Sequence, residues 1–185
     1  MVGLIILGVI VVLLVVFLIG IYNSLVQLRQ RVQNSWSQVD VQLKRRYDLI
    51  PNLVNAVKGY AQHEKSTLET VTQARNMAMN AGNVREQMEA ENMLSNALRS
   101  LFAVAEAYPE LKANTNFLQL QSELSDTESK IAYSRQFYND TVQKFNTKIE
   151  LFPNNLVAGM LGFAMVDYFT LQGEPNARQA VKVEF

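Results

Sequence analysis

The run Val2–Ile21, VGLIILGVIVVLLVVFLIGI, decides how the rest of the chain is read. It carries no charge and is apolar apart from Gly3, Gly8 and Gly20. About 20 such residues cross a hydrocarbon core of roughly 30 Å. A secretory signal would have a basic residue ahead of it, a shorter apolar centre and a small-x-small cleavage site behind it, and the run has none of these. The reading is a retained transmembrane helix, with residues 1–22 as the anchor, residues 2–21 in the bilayer and Tyr22 as an interfacial aromatic.

Outward from that run the composition changes. All 17 basic and all 17 acidic side chains follow Leu28. The remainder therefore has an ordinary soluble composition and is about one domain in size. No cysteine is present, which excludes a disulfide scaffold, a thiolate nucleophile and Cys-based metal sites. The formal net charge of zero gives no reason to expect nucleic acid. Arg29 and Arg31 are the first basic residues after the span, followed by Lys44, Arg45 and Arg46. The positive-inside bias then places the N-terminus outside and the large domain in the cytoplasm.

Four amphipathic helical segments are expected beyond the anchor. The first, Ser24–Tyr47, aligns Leu25, Leu28, Val32, Trp36, Val39 and Leu43 on one face. Pro51 is expected to break this rod and open a second segment that runs to Ala81. Gly82 reads as the residue closing that segment, and Asn83 with Glu86 as the cap of the next. The third segment spans Val84–Tyr108, with Met88, Leu94, Leu98, Leu101 and Ala105 inward, and Pro109 ends it. The fourth, Glu110–Leu151, repeats Phe117, Leu124, Ile131, Tyr138, Phe145 and Phe152 every seven residues. Asp40–Lys44, Asp126–Lys130 and Asp140–Lys144 are spaced for i,i+4 pairs. No segment reads as a strand.

The expected fold is all-α: an N-terminal transmembrane helix followed by an antiparallel up-down four-helix bundle over residues 23–152. Residues 153–185 form an apolar membrane-proximal segment and a tail. Leu156–Phe169 is too short to span and too apolar to stand in water. Leu156, Val157, Met160, Leu161, Phe163, Met165, Tyr168 and Phe169 are its candidate contact residues. They pack on their own bundle, on the lipid interface or on a second subunit. The alternating VKVEF at the C-terminus has the pattern of a short strand added to a partner.

The run Val39–Val54, VDVQLKRRYDLIPNLV, closely resembles the signature of the LemA family. Val57-Lys58-Gly59-Tyr60, His63-Glu64, Ala74-Arg75, Tyr108–Lys112, Phe117–Leu120, Tyr138-Asn139 and Phe152-Pro153 extend the likeness over nearly the whole chain. The resemblance implies a bacterial protein anchored in the inner membrane with a helical cytoplasmic domain. It implies no particular biochemical activity.

The inventory for chemistry is thin. A di-iron bundle needs Glu-x-x-His pairs on two helices, but His63 is the single histidine and Tyr60 stands three residues before it. His63-Glu64 does not continue into a zincin motif, since Thr67 occupies the second ligand position. No metal, no cofactor and no catalytic residue is expected. The carboxylate clusters Glu86, Glu89, Glu91 and Glu123, Asp126, Glu128 read as solvated helix faces. Lys44, Arg45 and Arg46 are expected at a helix C-terminus, complementing its dipole, with Asp48 as an ion-pair partner. Together with Asn52 and Asn55 they form a candidate protein-contact surface.

These readings lead to a non-enzymatic, membrane-anchored scaffold or interaction module, expected to form homo-oligomers and to meet other membrane or cytoplasmic proteins. A sensor of membrane state is the alternative; few residues precede the span, which argues against ligand sensing from outside. An enzyme of unrecognised type is the third reading. Carboxylates gathered beside Arg46 or Arg75 in a polar pocket would favour it.

Overall fold

A computed structural model describes residues 1–61 and 63–170. The described residues are all-helical and contain no strand. The helices are α1 (Val2–Lys58), α2 (Lys65–Met79), α3 (Val84–Glu106), α4 (Pro109–Lys112), α5 (Thr115–Glu150) and α6 (Asn154–Met160). VKVEF lies outside the described residues.

Residues 2–20 of α1 are exposed on every side, and the run is long and apolar enough to cross a membrane. Burial begins at Ile21 and Leu25. From there an apolar stripe at three- and four-residue steps turns inward, as the periodicity requires.

Pro51 does not end the first helix. It lies inside α1, which continues to Lys58, so the second helix opens at Lys65 and not at Pro51. A proline inside a helix leaves the carbonyl four residues earlier without its N–H partner. Here that carbonyl belongs to Tyr47, and the Arg75 Nε of α2 donates to it at 2.7 Å. The ring of Pro51 is exposed, on the side of α1 away from the core.

Other boundaries follow local capping. Asn83 Oδ1 accepts from the Glu86 N–H at 2.9 Å, while Glu86 Oε2 accepts from the Gly82 N–H at 2.8 Å. This is the reciprocal cap expected at the start of α3. Gly82 does not close α2; that helix ends at Met79 and is capped by Asn80, whose N–H returns to Met77 O. The fourth segment is interrupted near its start by the short α4. It restarts where Asn114 Oδ1 accepts from the Phe117 N–H at 3.0 Å. Asp126–Lys130 closes at 2.7 Å, whereas Asp40–Lys44 and Asp140–Lys144 form no ion pair among the described residues.

The chain divides into two compact units. One comprises Met1–Gln38 and Arg135–Tyr168. Its core includes Leu25, Val32, Tyr138, Val142, Phe145 and Val157. The other comprises Val39–Ser134 with Phe169 and Thr170 among the described residues. Its core is built from Val39, Leu43, Ile50, Leu53 and Val57 of α1, with Leu68 and Val71 of α2, Leu94, Leu98 and Leu101 of α3, and Phe117, Leu124 and Ile131 of α5. The seven-residue seam of α5 is buried from Phe117 to Phe145, but Phe152, its last member, is 79% exposed.

Candidate functional site

Along α1 the core positions Val39, Leu43, Arg46, Ile50, Leu53 and Val57 follow steps of four and three residues. Arg46 therefore occupies a core position of the stripe, and its side chain is 2% exposed. Glu91 holds the matching place on α3, in line with Leu94, Leu98 and Leu101, and is 4% exposed. A cation and a carboxylate are thus carried into the same interior by two helix phases. Such charges persist in a low-dielectric interior only when paired and hydrogen-bonded.

They are paired on several sides. Arg46 Nη2 donates to Glu91 Oε2, and the Tyr47 hydroxyl donates to Glu91 Oε1. Arg46 Nη1 donates to Glu128 Oε1 of α5 at 2.6 Å and reaches Ser95 Oγ at 3.5 Å. Gln87 Nε2 lies 2.7 Å from the Tyr47 hydroxyl oxygen and 3.0 Å from Glu91 Oε1. Burial first, and then the charge of Glu91, push the Tyr47 hydroxyl well above the ordinary phenol range. Tyr47 therefore stays protonated and serves as a donor. Both oxygens of Glu91 are held by donors of the protein itself. Glu128, 43% exposed, also lines an open groove of about 390 Å³ with Ser95, Arg99 and Gln121.

This arrangement corrects several sequence expectations. Lys44, Arg45 and Arg46 lie within a helix and not at its C-terminus, so the dipole account does not apply. Lys44 and Arg45 are exposed, and Arg46 points inward. Asp48 is exposed, and Arg46 pairs with Glu91 and Glu128 in its place. Asn52 and Asn55 are exposed on the last turns of α1. The carboxylate clusters are not wholly solvated, since Glu91 is buried and Glu128 is half-buried. His63 is exposed in the turn between α1 and α2, not on a helix. Carboxylates do gather beside Arg46, as an enzymatic reading would require. The phase of the stripe was the signal available for Arg46 and Glu91: opposite charges at core positions of two amphipathic helices.

The residues after α5 form a second constellation, in the unit that carries the apolar run. Phe163 packs edge-on against Tyr22 at 6.1 Å and Phe145 at 6.5 Å, with the Arg29 guanidinium 5.1 Å from its ring centre. Asn146 exchanges two hydrogen bonds with the backbone of Val166, at 2.9 and 3.0 Å. The Tyr138 hydroxyl donates to Asp167 O at 3.0 Å. Burial, and then the Asp167 charge, push that hydroxyl up to about 12. Of the candidate contact residues, Val157 and Phe169 are buried and Phe163 is half-buried. Leu156, Met160, Leu161, Met165 and Tyr168 are exposed.

Comparison with known proteins adds a lineage to this geometry. The LemA family profile matches residues 35–185. Protein LemA of Metamycoplasma hominis is 30% identical over 152 residues, covering 82% of this chain and 69% of that protein. Magnetosome protein MamQ 2 of Paramagnetospirillum magneticum is 26% identical over 80% of this chain and 64% of its own length. Magnetosome protein MamQ of Magnetospirillum gryphiswaldense is 25% identical with the same coverage. None of these names denotes a catalytic activity.

Proposed function

The chain belongs to the LemA family, and on that premise we propose a single-pass, membrane-anchored, non-enzymatic scaffold that self-assembles at the bacterial inner membrane. Residues 2–21 cross the bilayer with the N-terminus outside. The helices after the anchor form an antiparallel four-helix bundle in the cytoplasm and present exposed polar faces, Lys44, Arg45, Asp48, Asn52 and Asn55 among them, to protein partners. The observation that carries the reading is residues 2–20, apolar and exposed on every side, followed by a helical domain whose central charges are consumed by one another. A buried Arg–Glu pair of this kind favours one pairing of helices over others, which suits a rigid module. The assembly step is tested by native mass measurement of the full chain in gentle detergent and in nanodiscs. Defined oligomers are expected; monomers alone across the working concentration range would overturn it.

An enzymatic reading draws on Glu91 and Glu128 beside Arg46. Glu128→Gln separates the two, because it keeps a hydrogen-bond acceptor for Arg46 and removes the charge. The scaffold reading expects folding, assembly and cellular function to survive the change. Lost function with folding and assembly intact would favour an enzyme.

A further inference from the structure

We propose that the open apolar face of residues 151–165 is seated in the lipid interface, as a collar beside the point where α1 leaves the bilayer. This rests on reading residues 2–21 as a span.

The argument begins with the register of α1 against α5 inside one unit. The rings of Trp36 and Tyr138 meet at 5.2 Å. One heptad back along α1 is Arg29, and one heptad forward along α5 is Phe145; both meet Phe163. The two helices are therefore antiparallel here, and one further heptad sets Phe152 level with Tyr22. Phe163 itself touches Tyr22, so the chain between Phe152 and Phe163 reverses direction at the end of the span. From Phe163 it climbs back along α5, with Val166 on Asn146 and Asp167 on Tyr138.

The reversal contains α6, whose two sides differ. Asn154, Val157 and Ala158 are buried against the protein. The open side presents Leu156 at 58% and Met160 at 85% exposure, and Phe152, Leu161 and Met165 in the flanking residues are 79%, 53% and 56% exposed. No charged residue occurs between Leu151 and Val166. An apolar face of this extent is costly in water. Just beyond it stand Arg29, Arg31, Lys144 and Lys148 against a single Glu150, an excess of positive charge at the height of the head groups. A face level with the last residues of a span lies where lipid already surrounds α1. Lipid therefore covers it without a second protein, in the manner of an interfacial helix.

The absence of cysteine makes the test direct. Full-length Met160→Cys, Phe152→Cys, Val12→Cys and Phe137→Cys, each carrying an environment-sensitive fluorophore, are reconstituted in phosphatidylcholine–phosphatidylglycerol vesicles. Spin-labelled lipids then report depth. The expected result is strong quenching of positions 160 and 152 by lipids labelled near the head group. Position 12 is quenched by lipids labelled deep in the chain, and position 137, which is 53% exposed in the same unit and about two heptads back along the chain from Phe152, stays unquenched. Quenching at 12 with none at 160 and 152 overturns the collar and leaves the span intact. If 160 and 152 are shielded from water and lipid alike, and energy transfer between labelled copies survives dilution with excess lipid, a second copy covers the face and the collar is overturned. No quenching at 12 overturns the span reading itself, and the collar with it.

Discussion

Arg75 Nε donates at 2.7 Å to the carbonyl oxygen of Tyr47, the acceptor that Pro51 leaves without its partner in α1. The two features compensate each other: the proline frees an acceptor, and α2 supplies the donor. Arg75→Met should cost about 1–3 kcal/mol, the penalty for an acceptor left unsatisfied. In the Pro51→Ala background the restored N–H takes over that carbonyl, so the same change should cost much less. A double-mutant cycle by denaturant unfolding checks this. Equal costs in both backgrounds would mean that the contact contributes nothing to α1.

The Arg46–Glu91 pair is predicted to matter more for which helices meet than for net stability. Removing one member strands the other charge, so Arg46→Met should destabilise by about 3–5 kcal/mol. Arg46→Met combined with Glu91→Leu should recover most of that loss, because apolar pairs of similar volume often match a buried ion pair. Thermal unfolding of the three variants decides it. A double variant as unstable as the single one would point to Tyr47 and Gln87 as the groups that need Glu91.

Alkaline pH should unfold the protein through its buried tyrosines. Tyr47 and Tyr138 have hydroxyls raised above the ordinary value near 10, the second to about 12. Below pH 10 both stay protonated in the folded and unfolded states, and stability does not depend on them. Above it the unfolded chain loses these protons first, so stability falls as pH rises from 10 towards the folded values. In a spectroscopic titration of the seven tyrosines, Tyr47 and Tyr138 should form the last fraction to ionise. The last fraction should ionise together with loss of helical circular dichroism. All tyrosines titrating as one class would contradict the burial.

Asn146 pins the segment after α6 by pairing with both backbone groups of Val166. Asn146→Leu should leave that N–H and carbonyl without partners and loosen the run from Phe163 to Asp167, at about 1–3 kcal/mol. Hydrogen exchange at Val166 should accelerate by roughly 5- to 160-fold, the range that this energy corresponds to, while exchange in α3 stays unchanged. Acceleration throughout the chain would instead indicate global destabilisation.

Much of this was legible in the sequence. The apolar run before Tyr22 needs only composition. The α5 seam needs only its seven-residue step, and the α3 start needs only Asn83 and Glu86. Pro51 was misread because local chemistry says break, while the group that permits continuation lies on another helix. Arg46 was misread as part of a surface cluster because three adjacent basic residues suggest a solvated patch. A helix turns about 100° per residue, so only one of three neighbours can share the face of Leu43 and Ile50. That one is Arg46, and its partner is found by applying the same phase to Glu91. The exposed Phe152 shows the opposite limit: the seven-residue step continues in sequence past Glu150, where α5 ends.

The central claim, a chain that crosses the membrane once with its helical domain inside, is tested most directly by labelling single cysteines in intact cells with a membrane-impermeant maleimide. A cysteine in a short polar extension added ahead of Val2 should react at once, and one at Tyr133 only after the membrane is opened. Reaction at Tyr133 in intact cells, or equal protection of both ends, would contradict the account.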